Sequence, residues 1–213
     1  STDSVPMLLP SAAGFLLHRE IEFLGSALDS HKRPLEAILG GAKISDKIKV
    51  LEHLVPKVNT LLIGGGMAAS FFKATGINIG TSLVEEDMIE SVNKILRLAS
   101  DLKVDLLLPT DVVISNKFVE SASHKIVHVT QIPDGWMIMD IGPETSKAYA
   151  TTAEDAGTII WNGPMGVCEW QNFAQGTNYL CKTLSSLRDA TTVIGGGSTA
   201  DAVGALDLTD TMT

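Results

Sequence analysis

The stretch "VIGGGSTADAV", residues 193–203, runs from a β-branched apolar segment through three glycines into a short helical pattern. A buried strand that ends on glycine and passes at once into a helix is the unit from which parallel sheets are built. The unit recurs along the chain. Apolar runs that close on Gly, Pro or Asp stand at "LEAILGG" (35–41), "VNTLLIGGG" (58–66), "VDLLLPTD" (104–111), "WMIMDIGP" (136–143), "GTIIWNGP" (157–164) and "TTVIGGG" (191–197). Amphipathic helical patterns lie between most of them, at 45–55, 67–75, 85–101, 144–155, 170–187 and 199–206. This rhythm predicts an α/β fold: a doubly wound, six-stranded parallel sheet with helices on both faces, a Rossmann-like three-layer αβα arrangement. Ligands of such sheets bind at the carboxyl ends of the strands, where the glycines cluster here.

Two segments stand outside the rhythm. Residues 112–135 carry alternating patterns and turn signals ("SNK", "IPDG") and predict a small antiparallel insertion. Residues 11–28, "SAAGFLLHREIEFLGSAL", predict an amphipathic helix ahead of the first strand. That helix is either a linker toward a further domain or packed on this domain's own sheet. Both ends of the sequence read as cut.

The 213 residues are 45% hydrophobic and 19% charged, which suits one large globular domain with a full core, or one domain plus an appendage. The net charge of −9 leaves no basic stripe to release counterions from a nucleic-acid backbone, so broad nucleic-acid binding is excluded. A localised anion site is not. Cys168 and Cys181 form no CxxC pair and read as reduced core thiols. His124 and His128 fall in a strand pattern, "HKIVHVT", without metal-ligand spacing. No apolar run reaches transmembrane length. The opening "VPMLLPSAAGFLL" is broken by Pro6 and Pro10 and lacks a basic leader, so no signal peptide is expected.

The densest chemistry is in "LGGAKISDKI" (39–48). Lys43 and Lys47 are four apart at an expected helix start, which would put both ammonium groups on one face beside glycine amides. Lysines there oppose the helix dipole unless an anion neutralises them. The alternative is a pair of solvated surface lysines. "IGGGMAA" (63–69) and "IGGGSTA" (194–200) contain GxGxxA, but no acidic residue closes a strand about 20 residues later, so a dinucleotide fold is not supported. No GxxxxGK[ST] occurs either. In "WNGPMGVCEW" (161–170) a rigid Gly-Pro turn precedes Glu169, either a carboxylate for ribose hydroxyls or a helix-capping charge. "MDIGPET" places Asp140 and Glu144 at another strand end, Glu144 in a helix first turn.

Taken in order, "AGFLL", "AILGGAKISDKI", "LLIGGGMA", "GTSLVEED", "LLLPTDVV", "IPDGWM", "DIGPET", "WNGPMGV" and the "VIGGG" strand end make the chain resemble the phosphoglycerate kinase family over nearly its whole length. "SLVEED" and "LLLPTDVV" resemble its plant and cyanobacterial branch. The resemblance implies that residues 1–30 are the end of a linker plus a hinge helix toward an N-terminal domain. Residues 31–213 would then be a nucleotide-binding domain, incomplete at its C-terminus. It implies reversible phosphoryl transfer between 1,3-bisphosphoglycerate and Mg-ADP, giving 3-phosphoglycerate and ATP. Turnover would need the other domain, so this chain alone is expected to be inactive. By motif, Lys43 would stabilise the transferring phosphoryl and Lys47 would hold nucleotide phosphates. Gly41, Ala42, Gly65 and Gly66 would line the adenine and ribose side, continued by Asn162, Gly163, Pro164 and Met165. Glu169 would bind the ribose, and Gly196, Gly197 and Thr199 would meet the phosphates, Gly197 taking a catalytic part with Lys43. A monomer in the cytoplasm or plastid stroma, without nucleic-acid or membrane partners, completes that expectation.

Three positions depart from the family pattern. Ser198 stands where the family places its magnesium-binding Asp. Ile138 replaces a glycine that borders the adenine, and Cys168 replaces an aromatic beside the nucleotide. They keep open a second reading: a degenerate domain retained as a scaffold or interaction subunit, with protein partners and weak or no catalysis.

Overall fold

Residues 32–212 are described in the computed structural model. The helix expected over 11–28 lies outside them. Five strands form one parallel sheet: β1 (Leu35–Leu39), β2 (Thr60–Ile63), β3 (Asp105–Leu107), β7 (Thr158–Asn162) and β8 (Thr191–Gly195), in the spatial order β3-β2-β1-β7-β8. Ala37 of β1 sits between Leu61 of β2 and Ile160 of β7, and every residue of β1 is buried. A strand covered on both faces cannot alternate apolar and polar residues, which is why "LEAIL" and "TIIWN" are near-continuous apolar runs.

From β1 the chain winds one way through β2 to β3, then crosses back to β7 and winds the other way to β8. Right-handed crossovers running in opposite directions put their helices on opposite faces. Ile38, Leu62 and Trp161 share a core with Tyr149 and Ala153 of α4 (Pro143–Glu154), Leu180 and Leu184 of α5 (Gln175–Ser186) and Val203 of α6 (Gly197–Ala205). Ala37, Leu39, Leu61 and Ile63 face the other way and are equally buried. That side belongs to α1 (Ile48–Leu54), α2 (Ala68–Ala74) and α3 (Ile89–Asp101), which pack on one another and bury Leu51, Phe71, Phe72, Val92 and Ile95.

The parallel sheet has five strands rather than the six expected. The run "WMIMDIGP" supplies β6 (Met137–Ile141), which pairs antiparallel with β4 (Asp111–Ser115), itself paired antiparallel with β5 (His124–His128). A parallel neighbour needs a crossover of a dozen or more residues. Only Leu108, Pro109 and Thr110 separate β3 from β4, too few for a parallel return beside β3, and β5 and β6 then take the two edges of β4 in the order β5-β4-β6, each antiparallel to it. The antiparallel unit therefore spans 111–141 rather than 112–135.

Two buried carboxylates join this unit to the helices. Asp111 of β4 accepts the backbone N–H groups of Glu144 (3.1 Å) and Thr145 (2.7 Å) at the start of α4. Asp140 of β6 accepts that of Gly176 (2.8 Å) at the start of α5. Each meets donors that have no intrahelical acceptor. Glu144 falls in the first turn of α4, as its sequence position implied.

Candidate functional site

The sheet reverses its winding direction between β1 and β7, and the loops leaving those strands are joined there. Gly40 N–H donates to Asn162 O (3.0 Å) and Gly41 N–H to Pro164 O (2.9 Å). A Cβ on Gly40 would stand 2.2 Å from Pro164 O, so the approach requires glycine. The chain then passes through Lys43 in a turn, and α1 begins only at Ile48 with Lys47 as its N-cap. The expectation that both lysines lie on one helical face is corrected here. The loop is instead held from outside, by Glu85: its carboxylate accepts Ser45 N–H (2.9 Å) and Ser45 Oγ–H (2.6 Å).

At the ends of β7 and β8 the backbone turns sharply. Gly163 has φ +96 and donates its N–H to Thr199 Oγ1 (2.8 Å). Gly196, the N-cap of α6, has φ +88. The first bond inside that helix runs from Ala200 N–H to Gly196 O (3.0 Å). The amides of Gly197, Ser198 and Thr199 precede it and have no intrahelical acceptor, which favours an anion at the helix start.

A cavity of about 170 Å3 opens where these three strand ends meet. It is lined by Gly41, Ala42, Lys43, Asp46 and Lys47 after β1, by Asn162, Gly163 and Pro164 at the end of β7, and by Gly196, Gly197, Ser198 and Thr199 after β8. Two lysines and an open helix N-terminus thus surround one hollow. Burial pushes the Lys47 ammonium below its usual pKa, with the neighbouring Asp46 carboxylate opposing that shift. Its Nζ donates to Asn162 Oδ1. An incoming anion would restore the charge that burial disfavours.

Asp46 escaped the sequence reading. Its position between the two lysines was the available signal. Glu85 escaped as well, since nothing local connects it to Ser45, 40 residues away.

The remaining expected residues lie outside the walls of this cavity. Gly65 and Gly66 back onto Gly41 and Ala42, where a Cβ on Gly65 would stand 2.6 Å from Gly41 N. Met165 is fully buried, its sulfur packed under Gly64 and its N–H donated to Thr177 Oγ1 (3.0 Å). Ile138 is half-buried in β6 and donates its N–H to Ser82 Oγ (2.9 Å). Glu169 is exposed and lies beside Cys168. Burial, reinforced by Glu169, pushes the Cys168 thiol up to about 11, and burial pushes Cys181 up to about 12. Both are free thiols of low reactivity.

No helix among the described residues is long and apolar enough to cross a membrane. Also among the described residues, no three His, Cys, Asp or Glu side chains converge as a metal cluster.

The family model described as phosphoglycerate kinase matches residues 1–213. A phosphoglycerate kinase of Moorella thermoacetica is 50% identical over 203 residues, covering 95% of this chain and 51% of the relative. One of Trichodesmium erythraeum is 48% identical over 213 residues, covering 100% and 54%. The solved structure of phosphoglycerate kinase from Coxiella burnetii superposes with a TM-score of 0.89 at 40% identity, over 94% of this chain and 51% of that one. The chain spans about half the length of the relatives it matches.

Proposed function

The chain belongs to the phosphoglycerate kinase family, and from that premise we propose that it is the nucleotide-binding portion of an enzyme for reversible phosphoryl transfer between 1,3-bisphosphoglycerate and Mg-ADP. The observation that carries the reading is the convergence of Lys43, Lys47 and the open start of α6 on one cavity at the strand ends. Phosphoryl transfer asks a protein mainly for positioning and for fixed positive charge where negative charge is spread. In this reading the Lys43 ammonium meets the transferring group. Lys47, held by Asn162, and the amides of Gly197 and Ser198 take the nucleotide phosphates. Gly41, Ala42, Gly65 and Gly66 border the adenine and ribose, with Ile138, Cys168 and Glu169 toward the outer rim.

Among the described residues Asp46 is the one carboxylate lining the cavity, and Ser198 adds a neutral hydroxyl. That set fits a magnesium ion carried mainly by phosphates, since Mg2+ takes one or two carboxylates alongside phosphate and water oxygens. When bound, the ion would supply charge neutralisation on the nucleotide phosphates. Residues 1–30 are read as linker and hinge helix, and the triose as held by a domain outside these 213 residues. The setting is cytoplasm or plastid stroma, as a monomer.

The second reading, a nucleotide-type scaffold with weak or no catalysis, is favoured by Ser198, which leaves the start of α6 without a carboxylate. Calorimetry with ADP, with and without magnesium, separates the two. Magnesium-dependent binding that weakens about tenfold or more in Lys47→Ala supports the enzyme reading. Absence of binding in the parent chain, restored by Ser198→Asp, supports the scaffold. Absence in both refutes nucleotide binding.

A further inference from the structure

Residues 78–86 cross between two parts of the molecule and are held at both. On one side Thr81 N–H donates to Trp136 O (2.7 Å), Ser82 Oγ accepts Ile138 N–H (2.9 Å), and Asn78 Nδ2 donates to Ile132 O (3.1 Å) and Asp134 Oδ1 (3.1 Å). On the other, Glu85 takes both hydrogens of Ser45, and Glu86 pairs with Lys73 of α2. Ser45 lies midway between Lys43 and Lys47, in a turn closed locally by one bond, from Lys47 N–H to Ile44 O (2.9 Å), and without a side-chain cap at α1. Long lysines on a turn held by that one local bond would sample many positions, and each would have to be ordered when a phosphate binds.

We infer that Glu85 is a positioning residue for phosphate binding: its carboxylate, clamped on Ser45, holds the turn so that Lys43 and Lys47 point into the cavity before the nucleotide arrives. This rests on the nucleotide-binding reading above. The hydrogen bonds from Ser45, with the nearby Lys43 charge adding to them, hold the Glu85 carboxyl below its usual range, so the clamp is ionised across the neutral range. The clamp also joins the lysine turn to the strand that carries Ile138, by way of Ser82.

The test compares the parent chain with Glu85→Ala, Glu85→Gln and Ser45→Ala. ADP affinity is expected to fall about tenfold in Glu85→Ala, by preorganisation lost from the turn. Glu85→Gln, whose amide still accepts Ser45 N–H, is expected to stay within about threefold. Adenosine carries no phosphate, so its affinity, followed by NMR shifts, should be unchanged in every variant. The Ser45 amide should exchange with solvent faster in Glu85→Ala while β1 amides remain protected. A general loss of structure would weaken ADP and adenosine together and expose β1, which overturns the inference. So does unchanged ADP affinity in Glu85→Ala. Failure of the parent chain to bind ADP refutes the nucleotide reading itself and takes this inference with it, whereas parent binding with a neutral Glu85→Ala refutes the inference alone.

Discussion

Glu36→Val is expected to stabilise the domain, and by an amount that grows with pH. Glu36 lies in the central strand, 1% exposed, between Thr60 of β2 and Ile159 of β7. Its Oε1 has no hydrogen-bond partner among the described residues. Burial raises its pKa from 4.5 to about 8, and its charge in turn helps raise that of Tyr149, which is pushed up first by its own burial. A carboxyl whose folded pKa lies above its unfolded one leaves stability intact below the unfolded value and removes it as pH rises through the folded value. Linkage from 4.5 to about 8 gives a penalty of about 1 kcal/mol near pH 5 and about 4 kcal/mol near pH 8. Valine has a similar volume, favours strands and titrates nowhere. Urea unfolding of parent and variant at both pH values should therefore show the variant's advantage widening by about 3 kcal/mol. Groups elsewhere titrate alike in the two proteins and cancel. An advantage equal at both pH values, within about 1 kcal/mol, would refute a buried, unpaired Glu36.

Asp140→Ala removes the acceptor at the start of α5 and should cost about 1–3 kcal/mol in urea unfolding. Burial raises the Asp140 carboxyl from 3.8 to about 7, against the pull of the Gly176, Ile141 and Gln175 amides. Its contribution is thus greatest below the unfolded value and declines as pH rises toward neutrality, so Asp140→Asn should flatten that part of the stability–pH curve. Gly40→Ala drives a methyl into Pro164 O and should cost roughly 2–3 kcal/mol, read as a lowered Tm, because backbone on both sides must shift.

The strand–glycine–helix rhythm was legible because each parallel strand is buried on both faces and each must end in a turn, so local apolar runs carry the information. Lys43, Lys47, Asn162, Gly196 and Gly197 could be picked out in the sequence as neighbours of one cavity for the same reason: they lie at strand ends or in the segments that follow them. Tertiary structure alone decided three things. "WMIMDIGP" has the composition of a parallel strand, and only its antiparallel pairing with β4, more remote in the chain than β5, puts it in the antiparallel unit. Lys43 and Lys47 have helical spacing, yet hydrogen bonds to Asn162, Pro164 and Glu85, all remote in sequence, hold the chain in a turn until Ile48. Met165 belongs to a site motif by sequence but is core, because Gly40 and Gly64 leave room only for its side chain. Periodicity reports what one segment buries, whereas the choice of partner depends on contacts 40 or more residues away, which local pattern does not encode.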